Sequence, residues 1–407
     1  MVKHYIWLSL LSAFGLWSSW QIAAWPLASQ SLLLYMPYVM AGFGVFVALF
    51  LNRLRPILMI LTLVLTVFAL SGTSFEVRLS TLNALYPLIT LLLPLNLLLW
   101  LFVAERGVKS IRYSLVLLSI MAAQVLGVWI VTTLPTELLS AISSPISEGG
   151  ESFFKLPSFG SVMMILVANV VIIRLAMVRK QRVLDSVTLF VIVLMALGLN
   201  GISDYGVLAW LTSVSILMII LSMIFDAHQL AYTDELTGLP NRRALLEAFL
   251  GLRQNYSVAM VDIDRFKQFN DRYSEDIGDR VLVRVGRVLK RSAVGGGVYR
   301  FESGEFSVLF RGKIAEQLRP NLEELRRLVE ETELKFDYEG EEIITKVTVS
   351  IGVASKDPSL KRLEAVIKAA SQALYHAKEL GRDRVAVYGD PVEQSLRKGE
   401  RNARVRR

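Results

Sequence analysis

The amino-acid sequence predicts an all-α polytopic membrane bundle of about eight helices followed by an α/β globular domain. Three observations carry this. The 407 residues are 53% hydrophobic, more apolar than an ordinary water-soluble chain. The excess is confined to residues 1–225, where apolar runs are broken by short charged clusters. From Asp226 onward charges recur every few residues, and short strand-like runs alternate with helical stripes, the pattern of a layered α/β fold.

Eight stretches are long enough, or nearly so, to cross a bilayer core of about 30 Å. They lie near Tyr5–Trp25, Ser31–Leu51, Pro56–Ser71, Leu82–Val103, Tyr113–Leu134, Ser158–Val178, Val187–Asn200 and Tyr205–Phe225. Connections on one side carry Lys3, Arg53, Arg55, Arg106, Lys109, Arg112, Arg179, Lys180 and Arg182; the other side carries only Arg78 and Lys155. Such asymmetry predicts that both termini are cytoplasmic and that the number of spans is even. The first span lacks a small-residue cleavage site and reads as a retained anchor. Arg174 lies near a span end and Asp204 in an outer loop, so no ionisable chain marks a transport path. The outer connection Pro135 to Pro157 is too short for a sensory domain but long enough to cap a pocket among the spans.

The segment 226–233 contains no Pro or Gly and is expected to continue the last span as a connecting helix. The domain that follows is placed at 234–389, and the tail Asp390–Arg407, with six basic and three acidic residues, is expected to be disordered. The chain has no cysteine and three scattered histidines, which excludes disulfides, thiol chemistry and a cysteine- or histidine-built metal centre. The net charge of +8 is accounted for by the membrane-side cations and the tail, so no nucleic-acid partner is expected.

Within the domain, Val258 to Asp262 reads as a short apolar strand ending in acid, with a helix opening directly after it. Asp264 suits the helix N-cap, which leaves Asp262 unexplained. Lys267 and Asn270, one turn apart, offer a cation and an amide from one helix face. A carboxylate, a lysine and an amide at one strand end point to a nucleotide with a divalent metal. Val281, Leu282, Val285, Val288 and Leu289 form a helical stripe; Val298–Phe301 and Phe306–Phe310 read as two strands around a tight turn. Leu322, Leu325 and Val329 mark another helix, and Val347, Val349, Ile351 and Val353 a half-buried strand. Leu363 to Leu374 gives a last long helix and Val385 to Tyr388 a final strand.

Four ordered motifs then carry a resemblance. Asp234 to Arg243 matches D-x-L-T-G-L-x-N-R-R, Asp262 to Asp271 matches D-x-D-x-F-K-x-x-N-D, Gly278-Asp279 follows, and Ala373 to Arg382 matches A-L-Y-x-A-K-x-x-G-R. From about Leu230 to Gly389 the chain resembles the GGDEF domain of bacterial diguanylate cyclases. The resemblance implies a fold like polymerase palm and nucleotidyl cyclase domains, placed on the cytosolic side of a bacterial inner membrane. It implies that two GTP molecules meet across a dimer, with Asp262, the Ile263 carbonyl and Glu305 holding Mg²⁺ or Mn²⁺. Lys267, Lys378 and Arg382 would bind phosphate, and Asn270 and Asp279 would read guanine. As plain helix-end cations, Lys378 and Arg382 would instead complement the dipole near Gly381.

The signature turn departs from the family. It reads Glu302-Ser303-Gly304-Glu305-Phe306, so Gly304 stands where the family places a carboxylate, and Glu302 and Ser303 stand where it has glycines. Glycines there would permit positive φ and close approach of the main chain to the nucleotide. Glu302 adds negative charge near triphosphate oxygens. The inhibitory R-x-x-D motif falls on Ala293-Val294-Gly295-Gly296, so no inhibitory site is expected. Two readings follow: a weakly active or inactive GTP-binding or interaction module that pairs with itself, another cyclase or an effector, or an active cyclase making cyclic di-GMP. Membrane lipid is an expected partner in either.

Overall fold

The computed structural model describes residues 2–70, 79–105, 107–135, 137–138, 158–177, 183–200, 205–250, 252, 255–338, 340–357, 360 and 362–389. The expectations that rest on Arg78, Arg106, Lys155, 178–182, Asp204, most of 135–157, the tail and the side chain of Lys3 lie outside the described residues. The chain divides into two compact units, Met1–His228 and Gln229–Arg407.

The long α-helices of the first unit are α1 (Val2–Ser19), α2 (Leu27–Phe50), α3 (Arg55–Leu70), α4 (Leu79–Phe102), α5 (Ile111–Thr132), α6 (Ser158–Met177), α7 (Val183–Asn200) and α8 (Tyr205–Tyr232). Six are long and apolar enough to cross a membrane; Ile6–Ser19 and α3 are shorter apolar helices. Large apolar side chains face outward all along the unit, among them Phe43, Phe46, Leu115, Trp129, Ile165 and Leu166. So much exposed apolar area suits lipid rather than water. Polar groups turn inward: buried Arg55 meets buried Asp185 at 2.8 Å, and Trp100 Nε1 donates to Thr62 Oγ1 at 3.0 Å. The Glu105 carboxylate accepts the N–H groups of Leu54 and Arg55, capping the start of α3. Helix α8 runs unbroken to Tyr232.

In the second unit the elements are α9 (Arg242–Leu250), β1 (Tyr256–Ile263), α10 (Phe266–Tyr273), α11 (Glu275–Ser292), β2 (Gly296–Arg300), β3 (Glu305–Arg311), α12 (Ala315–Glu331), β4 (Leu334–Tyr338), β5 (Glu341–Thr345), β6 (Val349–Ser355), α13 (Leu363–Glu379) and β7 (Val385–Val387). The main sheet has the order β2-β3-β1-β6-β7 and is antiparallel except for the β6–β7 pair. Alternation along β1 sends Ala259, Val261 and Ile263 into a core with α11 and α12, and Val258 and Met260 into a core with α9 and α13. Asp262 has the parity of Val258 and Met260, which aims it at α13. Strand β6, expected half-buried, is buried on both faces because α12 covers one and α13 the other. The β4–β5 hairpin adds two strands to those the sequence predicts; the alternation of Leu334, Phe336 and Tyr338 before the positive-φ Gly340 is its signal.

One glycine decides how close α13 comes. A Cβ on Gly352 of β6 would lie 2.0 Å from the Leu374 nitrogen and 2.3 Å from the Ala370 oxygen. Helix backbone therefore rests directly on strand backbone, and Lys378, one turn beyond Leu374, is carried to the end of β1.

Candidate nucleotide and metal site

At the end of β1, Asp262 stands in register with Glu305 of β3 on one side and Ser350 of β6 on the other. Lys378 Nζ donates to Asp262 Oδ2 at 2.6 Å. Burial pushes the Asp262 carboxyl above its ordinary range, although Lys378 pulls it back. Burial likewise raises Glu305, and the charges of Asp262 and Glu302 raise it further. Two half-buried acids that resist ionisation side by side are oxygen donors short of positive charge, and a hard divalent cation answers that need. Among the described residues no third acidic or histidine side chain joins them into a larger metal-binding group.

The signature turn shows why. Gly304 is buried, and a Cβ built there would sit 3.7 Å from Asp262 Oδ1 and 3.4 Å from Phe266 Cδ1, both ordinary contacts. Position 304 thus faces Asp262, with room for the Cβ it lacks. None of Glu302, Ser303 and Gly304 is at positive φ. The hairpin closes instead through the Glu302 and Glu305 main chains, with Glu305 N–H donating to Glu302 O at 3.2 Å, while Arg300 donates to the Ser303 and Glu305 carbonyls. Glu302 is exposed and pairs with Arg242 at 3.0 Å, so part of its charge is already answered.

Asp264 is not the N-cap. Arg265 occupies that position in the left-handed conformation, without a side-chain cap bond. The Asp264 carboxylate accepts from Thr348 Oγ1 and Ser350 Oγ, both at 2.7 Å, and from Asp383 N–H at 3.1 Å, tying β1 to β6 and to the turn after α13. The motif Asp234 to Arg243 is likewise structural in this unit. Asp234 Oδ1 accepts from Thr237 N–H and Oγ1, Asn241 Nδ2 donates to Ala231 O, and Arg242 lies over the Phe301 ring. Function had left these residues unassigned; their Asx-turn spacing was the available signal.

Asn270 Oδ1 is buried without a partner, directly over Gly278, where a Cβ would fall 2.0 Å from it. Lys267 and Asp279 are exposed nearby in sequence, and the charge of Asp279 acts on Arg300, as do those of Asp234, Asp262 and Glu305. The structure therefore brings together Asp262, Glu305 and Lys378, and readies Asn270 with an open acceptor. Arg382, at positive φ, lines a cavity to which neither Lys267 nor Asn270 contributes.

An acid-tipped central strand clamped by a lysine, on an antiparallel-rich α/β sheet, defines a domain suited to a metal-assisted phosphate ligand. Residues 231–384 match the family described as Diguanylate cyclase, GGDEF domain. The chain is 38% identical over 174 residues to diguanylate cyclase DgcP of Pseudomonas aeruginosa, covering 41% of this chain and 25% of that protein. It is 34% identical over 159 residues to diguanylate cyclase VdcA of Vibrio cholerae, covering 38% and 46%. Among solved structures, the coiled coil and GGDEF domain of DgcB from Caulobacter crescentus, in complex with c-di-GMP, is 32% identical with a TM-score of 0.37, covering 40% of this chain and 89% of that one. The chain thus spans less than half of the length of these two curated relatives. It is a GGDEF-domain protein of the diguanylate cyclase family.

Proposed function

We propose that this chain is a bacterial inner-membrane cyclic di-GMP signalling protein whose cytosolic domain binds GTP but turns it over slowly or not at all. It acts by pairing with a second copy, another cyclase or an effector. The observation that carries this reading is Gly304: a side chain there would start 3.7 Å from Asp262 Oδ1 without a clash at its Cβ, and the chain supplies none. The curated relatives named as diguanylate cyclases support the reaction class, two GTP to cyclic di-GMP and two pyrophosphates.

In this reading Asp262, Glu305 and the Ile263 carbonyl would hold Mg²⁺ or Mn²⁺, which would supply positive charge where a 3′-hydroxyl meets a triphosphate. Lys378 and Lys267, with Arg382, steady the phosphates. Asn270 offers its open Oδ1 to the base edge, beside Asp279. With no acid at position 304, this chain would offer such a cation two carboxylates, Asp262 and Glu305.

The second reading, a working cyclase, is favoured by the Asp262–Glu305 register and by the Arg242 pair that answers Glu302. Incubating the full chain in nanodiscs with GTP and Mg²⁺ or Mn²⁺ separates the two. No cyclic product, with GTP binding weakened by Asn270→Ala, is the expected result. Rapid product formation abolished by Asp262→Ala would establish the second.

A further inference from the structure

Helices α3, α4 and α5 of the first unit border a cavity of about 560 Å³, a size usual for a small-molecule site. Its walls are mostly apolar, and among the described residues no acidic or basic side chain lines it. Thr62 and Thr66 reach it from α3, Asn96 from α4 and Gln124 from α5. The two hydroxyls have spent their protons within their own helix: Thr62 Oγ1 donates to Leu58 O at 2.8 Å and Thr66 Oγ1 to Thr62 O at 2.9 Å. The two amides have not. Asn96 is only 8% exposed, and among the described residues neither its side chain nor that of Gln124 makes a hydrogen bond. Both are held inward by helical spacing. Gln124 shares a face of α5 with Met121 and Val128, and Asn96 a face of α4 with Ile89 and Leu93, all lining the same cavity. An amide surrounded by hydrocarbon and left unpaired is costly, and membrane bundles ordinarily join Asn and Gln across helices. Two such amides aimed into one space are acceptors and donors awaiting a ligand.

We propose that this cavity binds an uncharged lipophilic molecule whose carbonyl or hydroxyl oxygens meet the Asn96 and Gln124 amides. The lining decides the chemistry. With no countercharge in the walls, an ionic head group would enter at high cost. A plain hydrocarbon, such as a bilayer acyl chain, would leave both amides unmet. Phe68 and Trp129 offer aromatic faces to a ring, and the apolar run along α4 and α5 offers room to a chain. The inference rests on the membrane placement of this unit and is independent of cyclase turnover.

The test uses the full chain in nanodiscs washed at high salt; loss of the chain from the discs would refute the membrane placement and this proposal with it. Tritiated menadione, 1-decanol and decane are then titrated against loaded discs and empty discs of the same lipid. Menadione or decanol is expected to bind saturably above the empty-disc level. Asn96→Leu with Gln124→Leu is expected to weaken that binding about tenfold or more, and Ala122→Phe, which fills the space from α5, to abolish it. Because the leucine pair removes unmet amides from an apolar site, it is expected to melt no lower than the native chain. Tighter binding of menadione assigns the site to a ring compound, and tighter binding of decanol to a chain; either supports the proposal. Four results overturn it: saturable binding of neither, decane binding as tightly as both, unchanged binding in either variant, or melting of the leucine pair several degrees below native, which would make the amides structural.

Discussion

Restoring an acid at position 304 is the most direct probe of the signature turn. Gly304→Asp introduces a Cβ whose nearest neighbours are at 3.4 and 3.7 Å, and the residue is not at positive φ, so neither clash nor backbone strain opposes it. The new carboxylate would lie about 4 Å from Asp262. At an effective dielectric of 20, unit charges at that distance interact by about 4 kcal/mol, which Lys378 and solvent reduce. Without metal that term is repulsive; a divalent cation between the acids reverses its sign. Losing one group placed on transition-state charge typically costs about 3 kcal/mol, or roughly a hundredfold in rate. Gly304→Asp is therefore expected to raise cyclic di-GMP formation by about a hundredfold at saturating Mg²⁺, measured by chromatography of nanodisc reactions. Native protein already turning over as fast as the variant would refute the reasoning, because position 304 would then not limit the chemistry.

Three further expectations follow from the same geometry. Gly278→Ala forces a methyl toward Asn270 Oδ1, 2.0 Å from where it now lies, and is expected to weaken GTP binding about tenfold by equilibrium dialysis. Asp264→Ala strands two hydroxyls and one N–H at the β1–β6 seam and should destabilise the domain by about 3 kcal/mol in denaturant unfolding. Asp262 and Glu305 both titrate above their ordinary values, so the unfolded chain loses these protons first and ionisation costs the folded domain stability as pH rises. Mn²⁺ bound to the ionised pair cancels that cost. Its stabilising effect on thermal melting should therefore be small below about pH 4 and grow toward neutrality.

What the sequence made legible follows from where each signal comes from. Periodicity and turn chemistry are local, so the strands Val298–Phe301 and Phe306–Phe310 and the helix through Leu322 were readable, as was the acid at the tip of β1. The partners of that acid were not, because they depend on contacts between distant segments. Asp264 satisfies the local rule for a cap, yet hydroxyls from 348 and 350 take its carboxylate instead. Asp185 shows the same limit in the apolar unit. The apolar run predicts a span from Val187, whereas α7 begins at Val183 with Asp185 buried against Arg55. A charge in an apolar run terminates a helix only when nothing opposite answers it, and the answering residue here is 130 positions away.

Position 304 combines both kinds of signal. The missing acid is a local fact, while its consequence depends on what faces the vacancy across the sheet. The β1–β3 register places Asp262 opposite Glu305, and the close packing of α13 at Gly352 brings in Lys378. That lysine already gives Asp262 one positive charge. An arriving divalent cation must therefore compete with or displace an ion pair, and it has two carboxylates with which to do so. We propose that Gly304 thereby tips Asp262 from a metal toward Lys378, while Asn270, whose Oδ1 has no partner, is left unaltered.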